Sequence, residues 1–198
     1  MRRRLTLVPL VLLLAAGGCR EPKISAYRVP KEPVEEPATT PADMAASTVP
    51  TADGTDLTWT APAAWQAKAA GAMRKASYTV PGPGGTEADL SVTAFPGDVG
   101  GELANLNRWR GQIQLPPLAA GEVPGAVTRT THHGLDFVIA DFANPAGSKP
   151  QRILGAIVPH GSATWFFKLS GPDALVAAQK PAFLAFLETV SAPGPAKP

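Results

Sequence analysis

The run "WFFKLSGPDALVAAQKPAFLAFLETV", Trp165–Val190, joins the two kinds of element from which the fold is made. Its first part, within Ser162–Leu169, reads as a strand rich in bulky aromatic side chains, which suit a pleated and half-buried surface. Gly171-Pro172-Asp173 then opens a helical region. Proline cannot supply a ladder hydrogen bond, but its fixed φ suits the start of a helix. Pro181 either splits that region or occupies the first turn of its second half. Phe183, Leu184, Leu187 and Val190 recur at helical spacing and predict its buried stripe. A strand that runs into an apolar-striped helix predicts a sheet with helices laid on its face, an α+β arrangement.

Gln151–Val158 reads as the strand that pairs with the aromatic one across Pro159-His160-Gly161. Ala126–Thr131 and Leu135–Phe142 predict a second hairpin across His132-His133-Gly134. Ala76–Val80 and Ala88–Phe95 predict a third across Pro81–Gly85, with Leu90, Val92 and Ala94 on one face. Leu57–Thr60 alternates and reads as the first strand, followed by the turn Ala61–Trp65. Between the hairpins a helix is expected over Glu102–Gln114, ended by Leu115-Pro116-Pro117-Leu118. Leu103, Leu106, Trp109 or Arg110, and Ile113 share its apolar face, while Asn105, Arg108 and Gln112 take the polar face. The order of strands, helix, four strands and helix predicts a single α+β domain over 56–192. It should hold a mostly antiparallel, twisted sheet of six or seven strands with helices packed on it.

This order resembles the PsbP-like family, named for an extrinsic subunit of photosystem II. The likeness is carried by the early "APAAW" turn (Ala61–Trp65), the hairpin, the helix after the third strand and the closing Trp165–Val190 unit. The resemblance implies a sandwich with a central antiparallel sheet between helices. It also implies a small accessory protein attached to a membrane complex rather than an enzyme. No functional residue of that family transfers to this chain.

The N-terminus carries a different signal. Met1-Arg2-Arg3-Arg4 is basic, Leu5–Ala15 is apolar but too short to span a bilayer, and Ala16-Gly17-Gly18 precedes Cys19. Small residues directly before a cysteine resemble the lipobox of bacterial lipoproteins, although Ala16 stands where leucine is more usual. The resemblance implies a signal peptide at 1–18, acylation of Cys19 and attachment to membrane lipid. Cys19 is the single cysteine, so an acylated chain has no thiol left for a disulfide, a metal or a nucleophile. Arg20, rather than an inner-membrane retention residue, points to the outer membrane under the enterobacterial sorting rule. The face of attachment is the periplasmic one.

Residues 19–55 read as a tether. Pro22, Pro30, Pro33, Pro37, Pro41 and Pro50 stand among Glu, Lys, Thr and Ala, a composition that buries too little to offset its ordering entropy. Fully extended at ~3 Å per residue it reaches on the order of 100 Å. Within it, Ile24–Lys31 reads as a sticky piece of linker, or else as a segment that pairs with a sheet edge or docks on a partner. Residues 193–198 are a second tail. The whole chain has 18 Lys and Arg against 16 Asp and Glu. Residues 1–18 hold three of the arginines and no acid, so processing leaves 15 against 16. That balance gives no electrostatic footprint for nucleic acid.

The domain shows no catalytic motif. Gly97-Asp98-Val99-Gly100-Gly101 lacks both the dinucleotide and the P-loop spacing. It reads as a turn with Asp98 able to cap the helix, rather than as an anion cradle. Asn105 and Arg108 can share a face and are the candidate surface for a partner or ligand, or else pin the loop Leu115–Leu118. His132, His133, Asp136 and His160 are the only metal-ligating candidates. Adjacent histidines on a strand point to opposite faces, so neither a metal nor another cofactor is expected. Two readings follow. One is a non-catalytic, lipid-anchored accessory or binding protein serving a membrane complex. The other is a small-ligand binder or enzyme using Gly97–Arg110 with His132 or His160.

Overall fold

The computed structural model describes residues 57–193. The expected signal peptide, Cys19, the tether with its Ile24–Lys31 segment, and residues 194–198 lie outside the described residues. Seven strands form one antiparallel sheet: β1 (Gln66–Lys68), β2 (Ala76–Pro81), β3 (Glu87–Pro96), β4 (Val127–His132), β5 (Leu135–Asn144), β6 (Gln151–His160) and β7 (Ala163–Pro172). Their spatial order is β1-β2-β3-β7-β6-β5-β4, so the sheet is open. Four helices pack on it: α1 (Gly101–Gln112), the short α2 (Val123–Ala126), α3 (Asp173–Ala178) and α4 (Lys180–Glu188). The α+β reading from the sequence therefore holds.

Two elements differ from expectation. Leu57–Thr60 is not a strand of the sheet. Only Thr58 makes a β-bridge, to Ser191, and Trp59 lies edge-on to Trp165 and Phe167, with ring centroids 6.3 and 6.0 Å away. The alternation there reflects residues tucked against the core and not a ladder. The edge position is filled instead by β1, whose three residues are all exposed. An exposed edge strand has no hydrophobic alternation to betray it. The second difference lies in the turns. His132 still pairs with Leu135, so the β4–β5 loop is only His133-Gly134, with φ of 52° and 75°. Positive φ at both positions matches the right-handed twist of the strands it joins.

The two faces of the sheet are covered differently. On one face α3 and α4 bury Leu175, Val176, Phe183, Phe186 and Leu187 against Trp165, Phe167 and Leu169. Pro181 sits in the first turn of α4. Phe186 joins the buried stripe, whereas Leu184 is half-buried. Arg152 fastens these helices: Nη1 reaches Asp141 at 2.6 Å and Nε reaches Asp173 at 2.7 Å, and Lys180 meets Asp141 at 2.8 Å. On the other face α1 buries Leu106 and Trp109 against Ala140, Phe142, Ile153, Ile157 and Phe166.

The register on the α1 face explains where that helix sits. One row of directly paired residues crosses the whole sheet: Lys68, Ser77, Ser91, Lys168, Gly155, Ala140 and Val127. Directly opposed residues share a face. The half of the row on β6, β5 and β4 is small or apolar, and a Cβ on Gly155 would collide with the Trp109 ring. The half on β1, β2, β3 and β7 is basic and hydroxylic. A helix with an apolar stripe docks over the first half and leaves the second open.

Candidate functional site

The open half is bounded by α1 and forms a groove of about 380 Å³. Its floor is Ser91, Thr93, Phe95 and Phe166, and its rim includes Met73, Arg74, Arg108 and Lys168. Met73 is the exposed large hydrophobic residue among the described residues.

The Gly97–Gly101 turn closes one end. Thr164 Oγ1 donates to the Gly97 carbonyl at 2.6 Å, and the Gly97 amide donates to Ser162 O at 2.8 Å. Gly97, Val99, Gly100 and Gly101 all have positive φ. Glycine adopts that geometry freely; Val99, at 49°, does so against its branched Cβ. The αL residue Gly100 caps α1, with no side-chain bond to the first turn. Asp98 does not cap; its carbonyl accepts from the Gly101 amide at 3.1 Å.

Asn105 fastens the turn from inside. Its Nδ2 donates to Gly101 O at 2.7 Å and to Val99 O at 3.2 Å, and its Oδ1 accepts from Arg108 Nη1. At 2% exposure it is buried. Asn105 is thus part of the groove's wall and not of an exposed partner surface, because those two carbonyls would otherwise lack donors in a buried place. Arg108 is exposed at the groove mouth, as the sequence predicts. The loop Leu115–Leu118 is pinned by the two neighbouring residues instead. Asn107 Nδ2 donates to Leu118 O at 3.0 Å, Asn107 Oδ1 accepts from the Leu118 amide at 2.7 Å, and Arg110 Nε donates to Pro116 O at 2.7 Å.

Positive charge gathers at the groove. Arg74 Nη1 donates to Ser77 Oγ at 3.0 Å and pairs with Asp89, which also accepts Lys68. Burial alone would raise the Asp89 pKa. Hydrogen bonds from Arg74 and Lys68, and then their charges, hold it below the ordinary value. Lys168 Nζ donates to Gln112 Oε1 at 3.0 Å. Among the described residues no carboxylate is within ion-pair distance of Lys168 or Arg108. Burial, and next the charge of Arg74, lower the Lys168 pKa, while Asp89 offsets part of that. Arg74 and Lys168 are absent from the sequence reading, because the β1–β2 loop and β7, which carry them, are far from α1 in the chain. One signal was available: Lys168 breaks an otherwise apolar run, Trp165–Leu169.

The histidines do not reach this groove. His132 stacks edge-on against Phe137 at 5.7 Å and contacts Thr130, and His133 Nε2 lies 3.0 Å from Glu188 O. His160 pairs with Ala163, which packs into the core under α3 and α4. Strand alternation puts these histidines on or beside the opposite face of the sheet. The expected cleft joining Asn105 and Arg108 to a histidine is therefore not formed. Among the described residues no group of three His, Cys, Asp or Glu side chains is placed to hold a metal.

No protein-family profile and no curated protein sequence matches the chain. Among solved structures it is similar to LpqN, involved in cell envelope biogenesis of Mycobacterium tuberculosis: 14% identity, TM-score 0.48, covering 79% of this chain and 99% of that one. It is also similar to a protein from Bacteroides thetaiotaomicron at 12% identity and TM-score 0.43, covering 71% of this chain and 46% of the other. A protein of unknown function from Pseudomonas aeruginosa, PA94, is 14% identical at TM-score 0.39, over 60% of this chain and 82% of that one. None of the three likenesses bears on the site.

Proposed function

We propose that this protein is a lipid-anchored binding lipoprotein of the bacterial cell envelope, facing the periplasm and serving a membrane protein complex without catalysis of its own. The observation that carries the reading is Ala16-Gly17-Gly18-Cys19 behind a basic and apolar N-terminus. Acylation of Cys19 attaches the chain to membrane lipid, and Arg20 directs it to the outer membrane. The proline-rich stretch 19–55 spaces the folded domain from the bilayer. The PsbP-like resemblance supports an accessory role.

The polar residues of Gly97–Arg110 support binding rather than chemistry. Asn105, Asn107 and Arg110 are engaged with backbone carbonyls, which leaves Arg108 facing solvent. The test is the envelope fraction of cells. Mass spectrometry should find an acylated N-terminal Cys19, and cross-linking from Arg108 should trap a membrane-complex subunit. An unmodified Cys19 in the mature chain would remove the anchor from this reading. The absence of any cross-linked subunit would remove the complex.

A further inference from the structure

We propose that the groove between β3, β7 and α1 is a binding site for a phosphate monoester. Arg74, Arg108 and Lys168 are the ligands of its phosphate, and Phe95 and Phe166 form the wall for its organic part. The site stands apart from the lipid anchor and does not depend on it.

Three observations converge. The first is charge. Between Leu57 and Pro193 ten lysines and arginines face nine carboxylates, so the domain is nearly neutral, yet four of its cations crowd this part of the sheet. Asp89 answers Lys68 and Arg74 together. Among the described residues, Lys168 and Arg108 have no carboxylate within ion-pair distance. Lys168 donates one N–H to Gln112 Oε1 and keeps donors to spare, since an ammonium carries three. Arg108 likewise spends Nη1 on Asn105 and keeps the rest of its guanidinium. A half-buried ammonium whose charge Asp89 offsets only in part is costly unless something supplies the rest.

The second is buried polarity. The buried polar side chains among the described residues are Ser77, Ser91, Asn105 and Thr164. Ser91 and Asn105 line the groove. Ser77 takes the Arg74 guanidinium, and Thr164 holds the Gly97 turn at the groove's end. Polarity that a core would normally exclude is thus gathered beneath one depression. The third is shape. The small serines at one register position leave room that Trp109, fixed over Gly155, does not fill.

These features select the ligand class. One carboxylate offers one charge and two oxygens, too little for two guanidinium groups and an ammonium. A phosphate monoester offers three terminal oxygens and up to two charges around a tetrahedral centre, and suits Arg and Lys together; a diester, with one charge and two terminal oxygens, is no better matched than the carboxylate. The apolar wall of Phe95 and Phe166, with Met73 at the rim, asks for an organic substituent and not the bare ion. Such an ester has two sources, a soluble metabolite or a phospholipid headgroup that ends in a phosphate monoester, as in phosphatidic acid.

The full-length protein in a non-ionic detergent is titrated with glycerol 3-phosphate and with dihexanoyl phosphatidic acid below its micelle concentration. Calorimetry and amide NMR give the readout, and sodium acetate at equal ionic strength is the control. Saturable binding is expected, with shifts centred on Ser91, Thr93, Arg108 and Lys168. Affinity should fall about tenfold or more in Arg108→Gln and in Lys168→Met, both keeping a wild-type amide spectrum elsewhere. Lys149→Gln, outside the groove, should bind normally. Comparable binding of the two probes assigns a soluble ester, and clearly tighter binding of the lipid assigns a phospholipid headgroup. The proposal is overturned if neither probe saturates, if the shifts fall outside the groove, if both variants bind like wild type, or if acetate binds as tightly. Loss of acylation at Cys19 would change none of these results, so failure of the anchor and failure of the site are separable.

Discussion

The six-membered ring of Trp109 occupies the space that a Cβ on Gly155 would take, and this contact fixes the position of α1 across the sheet. Trp109 also meets Phe166 edge-on, with centroids 6.3 Å apart and planes at 85°. Leu106, one turn earlier, is fully buried. Gly155→Ala should therefore destabilise the domain by about 1–3 kcal/mol through overpacking. Leu106→Ala should cost about 2–5 kcal/mol through the cavity it leaves. Urea unfolding checks both. Combining Gly155→Ala with Trp109→Leu should cost less than the sum of the two single changes, because they share one contact. Strict additivity would mean that the ring has somewhere else to go.

Asn107 and Arg110 should matter more than their polar character suggests. Asn107 makes two hydrogen bonds to the backbone of Leu118, and Arg110 holds Pro116 O while its guanidinium lies 5.1 Å from the centre of the Phe142 ring. Asn107→Ala strands a donor and an acceptor, at a cost of about 1–3 kcal/mol. Arg110→Ala should cost on the order of 1 kcal/mol through the lost carbonyl bond and ring contact. Hydrogen exchange at 115–118 should rise in both variants; unchanged exchange there would show that the loop is held by something else.

The same residues show what the sequence could and could not reveal. The strands β2 to β7 were legible because alternation and turn residues are local properties. Trp165–Val190 even gave the passage from sheet to helix. β1 was hidden because an exposed edge has no apolar rhythm, and Leu57–Thr60 misled because tucked residues can imitate one. At the site, helical spacing brought Asn105 and Arg108 together, and they do meet. It could not say that Asn105 turns inward to two carbonyls, because that depends on the left-handed path through Val99 and Gly100. Nor could it bring Arg74 and Lys168 to the groove, since that proximity is made by pairing β3 with both β2 and β7.

The Asp89 ion pairs predict an acid dependence with a definite sign. Its folded-state pKa lies below the ordinary 3.8 because the bonds and charges of Arg74 and Lys68 outweigh its burial. A carboxyl with a depressed folded pKa contributes fully above the unfolded value. That contribution is lost as pH falls from 3.8 through the folded value, where the unfolded chain takes up the proton first. Asp89→Asn should therefore melt lower than wild type at neutral pH, with the gap closing below 3.8. The pairs are partly solvated, so the gap at neutral pH should be modest. A gap constant down to that range would show that Asp89 acts through shape alone.

Cys19→Ala should convert the protein from a membrane-bound to an unprocessed form, visible as a heavier band and as loss of the acylated N-terminal peptide. The folded domain should be unaffected, since its melting transition belongs to the core around Phe167 and Phe186. Normal processing of Cys19→Ala would point to an ordinary secretory cleavage and leave the cysteine without its role.

Lys168→Met separates the groove's stability from its use. Methionine keeps the long apolar stem and discards the ammonium. In the folded chain that ammonium is disfavoured, first by burial and then by Arg74, which puts its pKa below the ordinary 10.5. The sign is opposite to that of an ion-paired lysine. Below the folded pKa both states carry the proton and the penalty is complete. Between the folded pKa and 10.5 the unfolded chain binds more protons, so stability rises with pH until the penalty is gone. Lys168→Met should therefore melt higher than wild type at neutral pH. The two curves should converge as pH approaches 10.5. Losing the bond to Gln112 works against this gain, but that acceptor can turn to water. If the variant instead melts lower at neutral pH, the Gln112 bond outweighs burial and Lys168 is a structural clamp. If it melts higher and binds no phosphate ester, the chain keeps a destabilising cation at the centre of its sheet for the ligand's sake, as binding sites commonly do.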